Sequence, residues 1–467
     1  MDKIKYLLEN KIIYYLILAC FLVGLLFLVY QYALLTNFPI GDDPAIHIIY
    51  AKTLSYSQIW QQIIYPLPLI IFKYLHNLTS IEYPKLFTLL IPTFLLFSVI
   101  AISIYTYGIK KNILIPITAA ILFSTARWTI DGLRMGLLAE TFGWVILLIT
   151  LIGLSRQNII ITLIGSILLP FSHPFSTVVY TLIFLLYFII SIKNPLERKF
   201  LFTIAGAYLA LFLLFHFLKP ELIDRFVNFS NPEVRGWGER SFINVITGEA
   251  PYRFLIPLVS LIGIIVSFKD WKKPVIKISY LLLLVGMFFS FNHLFGMQFI
   301  VFRFYPYLEM GMIIFAAIGL NYLITNLKYK STPALLLTII FSLILAAPNF
   351  HINRSGIKIQ AHDVSAKAIM LPADQAAIEW IDKNTLPTDT IATDIRHSIW
   401  ITALANRAAF DYQNIYFDSV LLTKEPDPNL LTAKYIYYPI GHTIPEEITQ
   451  FYKPIFSQDG VTIEVKK

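Results

Sequence analysis

The segment Asn37–Lys52, NFPIGDDPAIHIIYAK, places two adjacent carboxylates, a proline and a histidine directly after a long uncharged run. Asp43 followed by Pro44 suits a helix start, because a carboxylate can cap free backbone N–H groups and proline fits the first helical position. Capping needs only one carboxylate. Asp42 beside Asp43 adds repulsion and desolvation unless a cation or a proton compensates. Such a pair suits a general base that takes a proton from an acceptor hydroxyl or amide. It equally suits ligation of a hard divalent cation, Mn or Mg.

Other ionisable residues stand in apolar surroundings, where a charge is costly and marks either a functional site or an anchor at the membrane interface. ARWTIDGLRMGLLAETFGW holds Arg127, Asp131, Arg134 and Glu140, with Arg127 and Asp131 at the i,i+4 spacing of a helical ion pair. Arg303 opens RFYPYLEMGMIIFAA, with Tyr305, Tyr307 and Glu309 close by. A guanidinium gives phosphate two parallel hydrogen bonds and does not deprotonate, so Arg303 is the first candidate for a phosphate contact, followed by Arg134 and Arg127. His47, Asp131, Glu140, His173 and Glu249 are further candidates for a supporting role in a site. Glu239 reads as solvated loop charge and His293 as an interfacial residue.

These groups need a frame, and composition supplies it. The chain has 467 residues, 57% hydrophobic and 14% charged, with mean hydropathy +0.67; soluble domains carry roughly 25% charge. This is an integral membrane protein. The net charge of +8 lies in short clusters between apolar runs, which excludes a nucleic-acid-binding face. The one cysteine, Cys20, allows neither an intrachain disulfide nor a cysteine metal site.

A bilayer core of about 30 Å takes roughly 20 apolar residues, which predicts about eleven spans. They fall near 12–35, 81–107, 112–126, 134–154, 158–172, 174–192, 199–218, 251–268, 274–292, 303–324 and 332–349. The first is too long for a signal peptide and lacks a small-residue cleavage pattern, so it reads as a retained anchor. With the N-terminus in the cytoplasm, every second connection carries lysine or arginine: Lys110 and Lys111, Arg156, Lys193 to Lys199, Lys269 to Lys273, Lys328 and Lys330. The acids and the long loops, 36–80 and 219–250, then lie outside. From Ile46, one face of an amphipathic surface helix carries Ile49, Tyr50, Thr53 and Leu54, and another carries His47, Ala51, Ser55 and Gln58.

Residues 351–467 change character. ADQAAIEWIDK, Ala373–Lys383, has helical periodicity, and short strand-like runs follow at 390–393, 435–438 and 461–465 between turn residues. The expected division is a membrane module over 1–350 and an extracytoplasmic α/β domain over 351–467. Neither a repeat nor a glycine-rich phosphate loop is present.

The order and sidedness of IGDDPAIH, YPLPLIIFKYL, HPF at His173–Phe175, RFYPYLEMGMIIFAA and AIEWIDKNTLPTDTIATD resemble the GT-C superfamily of membrane glycosyltransferases. That group includes protein O-mannosyltransferases, the aminoarabinose transferase of lipid A and oligosaccharyltransferases. The resemblance implies a GT-C-like helical membrane fold and an inverting glycosyltransferase of the plasma membrane. Its partners would be a polyprenyl-phosphate-linked hexose or pentose donor, a protein, lipid or glycan acceptor at the outer face, and membrane lipids. It also implies catalysis by Asp42 or Asp43, an arginine near Arg303 holding the lipid phosphate, and an acceptor-side or supporting role for residues such as His173 and Glu249. The WWD-type motif of oligosaccharyltransferases is missing, which argues against a peptide asparagine as acceptor. The alternative is a transporter or flippase for lipid-linked sugars, which would show inverted repeats and charges along a central path.

Overall fold

Ten of the expected apolar runs are helical in the computed structural model, which describes residues 22, 43–63, 65–127, 137–218, 245, 254–295, 301–327, 333–347, 370–393, 395–411, 433–439 and 451–467. Asp42, Asp131, Arg134, Glu239, Glu249 and nearly all of the run 12–35 lie outside the described residues. Three short helices come first: α1 (Asp43–Thr53), α2 (Tyr56–Gln62) and α3 (Pro66–Thr79). The apolar helices follow as α4 (Tyr83–Lys110), α5 (Leu114–Ser124), α6 (Leu138–Ser155), α7 (Ile159–Ser172), α8 (Pro174–Ser191) and α9 (Pro195–Leu218). After these come α10 (Leu255–Ser267), α11 (Pro274–Ser290), α12 (Tyr305–Asn326) and α13 (Pro333–Ala347). Proline in the first turn starts several of them, since its missing N–H is not needed there. Asn158 starts α7 by accepting the N–H of Ile161 at 3.0 Å.

Among the described residues four helices, α4, α6, α8 and α12, are long and apolar enough to cross a membrane by themselves. Helix α5 has 11 residues, roughly 16 Å, about half of a bilayer core. The larger count therefore depends on the shorter helices.

Helix α12 is the axis of the bundle. Every residue from Tyr305 to Asn321 is buried, as expected of a helix that is apolar all round and enclosed by neighbours. It packs on α5, α10 and α11. Contact with α10 is backbone to backbone: a Cβ on Gly263 would lie 1.8 Å from the carbonyl oxygen of Phe315, and one on Gly319 2.1 Å from that of Val259.

Cross-links between helix ends sort the connections. Arg156 Nη2 donates to Ile104 O (3.4 Å), Tyr105 Oη to Val275 O (3.0 Å) and Asn112 Nδ2 to Asn321 Oδ1 (2.8 Å). At the same end Lys277 pairs with Glu197 (3.1 Å), which also accepts from Tyr187 and Asn194. The basic connections thus share one end of the bundle. The start of α6, the α7–α8 corner and the start of α12 share the other.

The C-terminal part forms a five-stranded sheet with order β2-β1-β3-β5-β4, built from β1 (Thr390–Thr393), β2 (Ala408–Asp411), β3 (Tyr435–Tyr438), β4 (Tyr452–Gln458) and β5 (Val461–Lys466). β1 runs parallel to β2 and β3, and β5 antiparallel to β3 and β4. Helix α14 (Pro372–Asn384) precedes β1, and α15 (Ile395–Ala405) crosses from β1 to β2. The expected helix and three strands stand where the sequence pattern puts them. The short edge strand β2 and the edge strand β4 do not show in the pattern; Pro454 demotes β4 as a strand and is accommodated at an edge beside a bulge. The expected boundary at 350 lies outside the described residues.

Helix α1 buries one stripe of its surface within the protein. Tyr50 and Thr53 are exposed, and the buried stripe is Pro44, Ala45, Ile48 and Ala51. The reason is tertiary: α1 packs on α3 and α4 and also on α15 of the sheet unit, and its small alanines permit close approach.

Gly263→Val puts a branched side chain against backbone that cannot yield, and a loss of about 1–3 kcal/mol is expected. Gly206→Ala, with nothing within 4 Å of the new Cβ, should be neutral or stabilising. Thermal unfolding of the detergent-solubilised variants checks the contrast; equal midpoints would refute the α10–α12 contact.

Candidate active site

Arg303 lies in a 3₁₀ turn, Val301–Phe304, that leads into α12. The next residue, Phe304, anchors that turn by stacking on Phe289 (4.4 Å between ring centres) and meeting Phe175 edge-on (5.3 Å). Arg303 Nη1 donates to Glu140 Oε2 at 2.7 Å, with side-chain exposures of 24% and 4%. Glu140 sits in the first turn of α6, where the helix dipole favours a carboxylate. The pair therefore ties α6 to α12 where both helices begin.

Asp43 is the first residue of α1 and is part-buried. Burial raises its carboxyl above the usual aspartate range, while the charge of Arg303 pulls it partly back. Tyr65, just before α3, joins the same field: burial raises its phenol, the charge of Asp43 adds to this, and Arg303 opposes it. Four residues from four separate segments thus converge: Asp43, Tyr65, Glu140 and Arg303.

His173 closes one side. Its Nδ1 accepts the N–H of Ser176 (3.3 Å) to cap α8 and lies 3.2 Å from Tyr307 Oη. An Nδ1 that accepts a backbone N–H carries no proton, so the imidazole is neutral with its proton on Nε2. Tyr307 Oη is also 2.8 Å from Ser176 Oγ. Arg127 reaches the region through its backbone, whose N–H donates to Glu309 Oε1 at 2.9 Å, one turn into α12. His47, one turn after Asp43, stacks on Phe87 (5.9 Å), and among the described residues its buried Nδ1 has no hydrogen-bond partner. Burial pushes its imidazole down to about 4, which keeps it neutral.

Of the sequence candidates, Asp43, Glu140, His173, Arg127 and Arg303 gather at one end of the bundle, and His47 lies one turn from Asp43. Asp42, Asp131, Arg134 and Glu249 lie outside the described residues. Tyr65 is an addition; among so many aromatic residues nothing but its place before Pro66 could have marked it. A divalent cation finds no ready cage here: among the described residues no group of three or more His, Cys, Asp or Glu comes together, and Glu140 is paired with Arg303.

No family model and no curated protein matches the sequence itself. Solved structures do match. ArnT from Cupriavidus metallidurans bound to undecaprenyl phosphate superposes with TM-score 0.61 at 8% identity, covering 96% of this chain and 97% of that one. The chain has the GT-C fold. The same fold is shared with the archaeal oligosaccharyltransferase AglB from Archaeoglobus fulgidus, in complex with an inhibitory peptide and a dolichol-phosphate (TM-score 0.56, 12% identity, 84% of this chain). The chain spans 64% of the length of that enzyme. Arabinofuranosyltransferase AftD from Mycobacteria matches over 95% of this chain and 41% of its own, with TM-score 0.57 and 10% identity.

Within this GT-C fold two outcomes are expected. Arg303→Ala removes a charged partner from the buried Glu140, at a cost of about 3–5 kcal/mol, and adding Glu140→Gln should recover part of it. Thermal unfolding of both variants measures this; a double variant no more stable than the single one would show that the pair is not coupled. A carboxyl raised above its ordinary value also takes up its proton at higher pH as pH falls. If Asp43 acts as a base, kcat/KM should decline on the acid side above the usual aspartate range, and a decline confined to that range would show that Asp43 is not the titrating group.

Proposed function

We propose that the chain is an inverting membrane glycosyltransferase that moves a sugar from a polyprenyl-phosphate-linked donor to an acceptor. The observation that carries this reading is the meeting of Asp43 and the Glu140-held Arg303 at one end of a GT-C fold. Support comes from the fold neighbours, whose structures hold undecaprenyl phosphate in one case and a dolichol-phosphate with an inhibitory peptide in another.

In this reading Asp43 accepts the proton of the acceptor hydroxyl or amide as that atom attacks the anomeric carbon. The bond to the phosphate oxygen breaks on the opposite face, and configuration inverts. Arg303 meets the negative charge that gathers on the departing lipid phosphate, and Glu140 holds the guanidinium in place. A raised carboxyl pKa brings Asp43 nearer the working pH, where a general base is most effective. The site end of the bundle is taken as extracytoplasmic and the basic end as cytoplasmic, in a plasma membrane crossed about eleven times. The acceptor class is a protein, lipid or glycan. A transporter would place its charges along a midplane path, whereas the described ion pairs of the bundle sit at its two ends.

Proteoliposomes given a radiolabelled polyprenyl-linked sugar, with and without acceptor, test the reading. Asp42→Asn and Asp43→Asn should both fold, because asparagine can still cap, and at least one should lose transfer by about 100-fold or more. Both transferring at the wild-type rate would make the acids structural. Metal dependence is read in the same assay: a further structure of the archaeal oligosaccharyltransferase holds Zn and sulfate. Loss of transfer in EDTA, restored by Mn or Mg, would favour a metal-ligand role of Asp42 and Asp43 over that of a simple base.

A further inference from the structure

Helix α1 is held at its C-terminal end by two lysines that act in opposite directions. Lys73, from α3, donates to the carbonyls of Ala51 (2.7 Å) and Leu54 (2.5 Å), which closes the end of α1 from the bundle side. Lys52 reaches the other way: its Nζ donates to Ala403 O at 2.6 Å, across 351 residues of chain. Ala403 belongs to the last turn of α15, where carbonyls lack helical partners and the helix dipole is negative. Asp382, at the end of α14, adds its negative charge to the field at Lys52. Beside this contact α1 and α15 pack directly, with Ala45, Ile48 and Ala51 on one helix and Ile401 and Ala403 on the other fully buried.

Helix α15 is the crossover between β1 and β2, so it moves only with the sheet. Helix α1 is 11 residues long, about 16 Å. A tilt of roughly 10° at its clasped end displaces Asp43 at the other end by about 3 Å, and misplacement of about 1 Å can already cost 100-fold in rate.

We propose that the C-terminal α/β unit is a working part of the active site: docked through Lys52 onto the end of α15, it fixes the tilt of the helix that presents Asp43. Lys52 is then a positioning residue. The inference rests on the glycosyltransfer reading above, and its test has an arm that needs no turnover.

Lys52→Met removes the donor and keeps the apolar stem, while Lys52→Arg keeps a donor of similar reach. Hydrogen–deuterium exchange on the full-length protein should show amides of 43–53 exchanging about tenfold faster in Lys52→Met, and near wild type in Lys52→Arg. In the transfer assay Lys52→Met should lower kcat about 10- to 100-fold with donor KM within about twofold, because Arg303 does not ride on α1. Lys52→Arg should retain most of the rate. Should Lys52→Met fail to fold, Lys52→Gln, which shortens the reach, carries the same comparison. Unchanged exchange, unchanged kcat, or an equal loss in Lys52→Arg overturns the proposal. A wild-type protein that transfers no sugar overturns the functional reading and the positioning role with it, while faster exchange in Lys52→Met would still establish the docking.

Discussion

A guanidinium and a carboxylate sealed together at 2.7 Å are what the rest of this site depends on. Among apolar helix ends the desolvation of an ion costs several kcal/mol, and the direct contact of Arg303 with Glu140 offsets part of it for both. The contact ties the start of α6 to the start of α12. Once the pair is placed, a positive charge stands at a defined point, and Asp43 and Tyr65 lie within its field. Glu309 adds a second tie, from α12 to the backbone of Arg127.

The pair is precise because α12 is rigid. It is buried along most of its length, and its contact with α10 runs through two glycines that bring backbones into touch. At the basic end Lys277 and Glu197 form a comparable buried pair, fully supplied with partners from Tyr187, Ser191 and Asn194. The two pairs differ in surroundings. The basic-end pair lies between helix ends of the bundle, whereas the charge of Arg303 acts on Asp43 of α1, a short helix that packs on both the bundle and the sheet unit. That arrangement puts a potential base on an element whose position answers to two bodies.

Much of the frame was legible in the sequence. Apolar runs reappear as helices, with ends displaced by a few residues where prolines or capping side chains act. The strands at 390–393, 435–438 and 461–466 carry their pattern openly, while β4 hides behind Pro454 because proline is tolerated at a sheet edge. The packing of α1 was not legible: its face of Ile49, Tyr50, Thr53 and Leu54 was read against a membrane surface, and nothing local shows that Pro44, Ala45, Ile48 and Ala51 are buried where the helix packs on α3, α4 and α15. Arg303, Glu140 and His173 stood out singly because polar groups in apolar runs are expensive.

By itself the sequence determined which segments are apolar enough to bury, where helices begin, and which residues bear charge that must be compensated. These follow from local composition and spacing. Only the tertiary structure decided that Glu140 compensates Arg303, that His173 caps α8 with a neutral ring, and that Lys52 closes a helix 351 residues away. Each of these is a pairing between distant segments, and the energy of a buried charge or an open helix end depends on what meets it in space rather than on its neighbours along the chain.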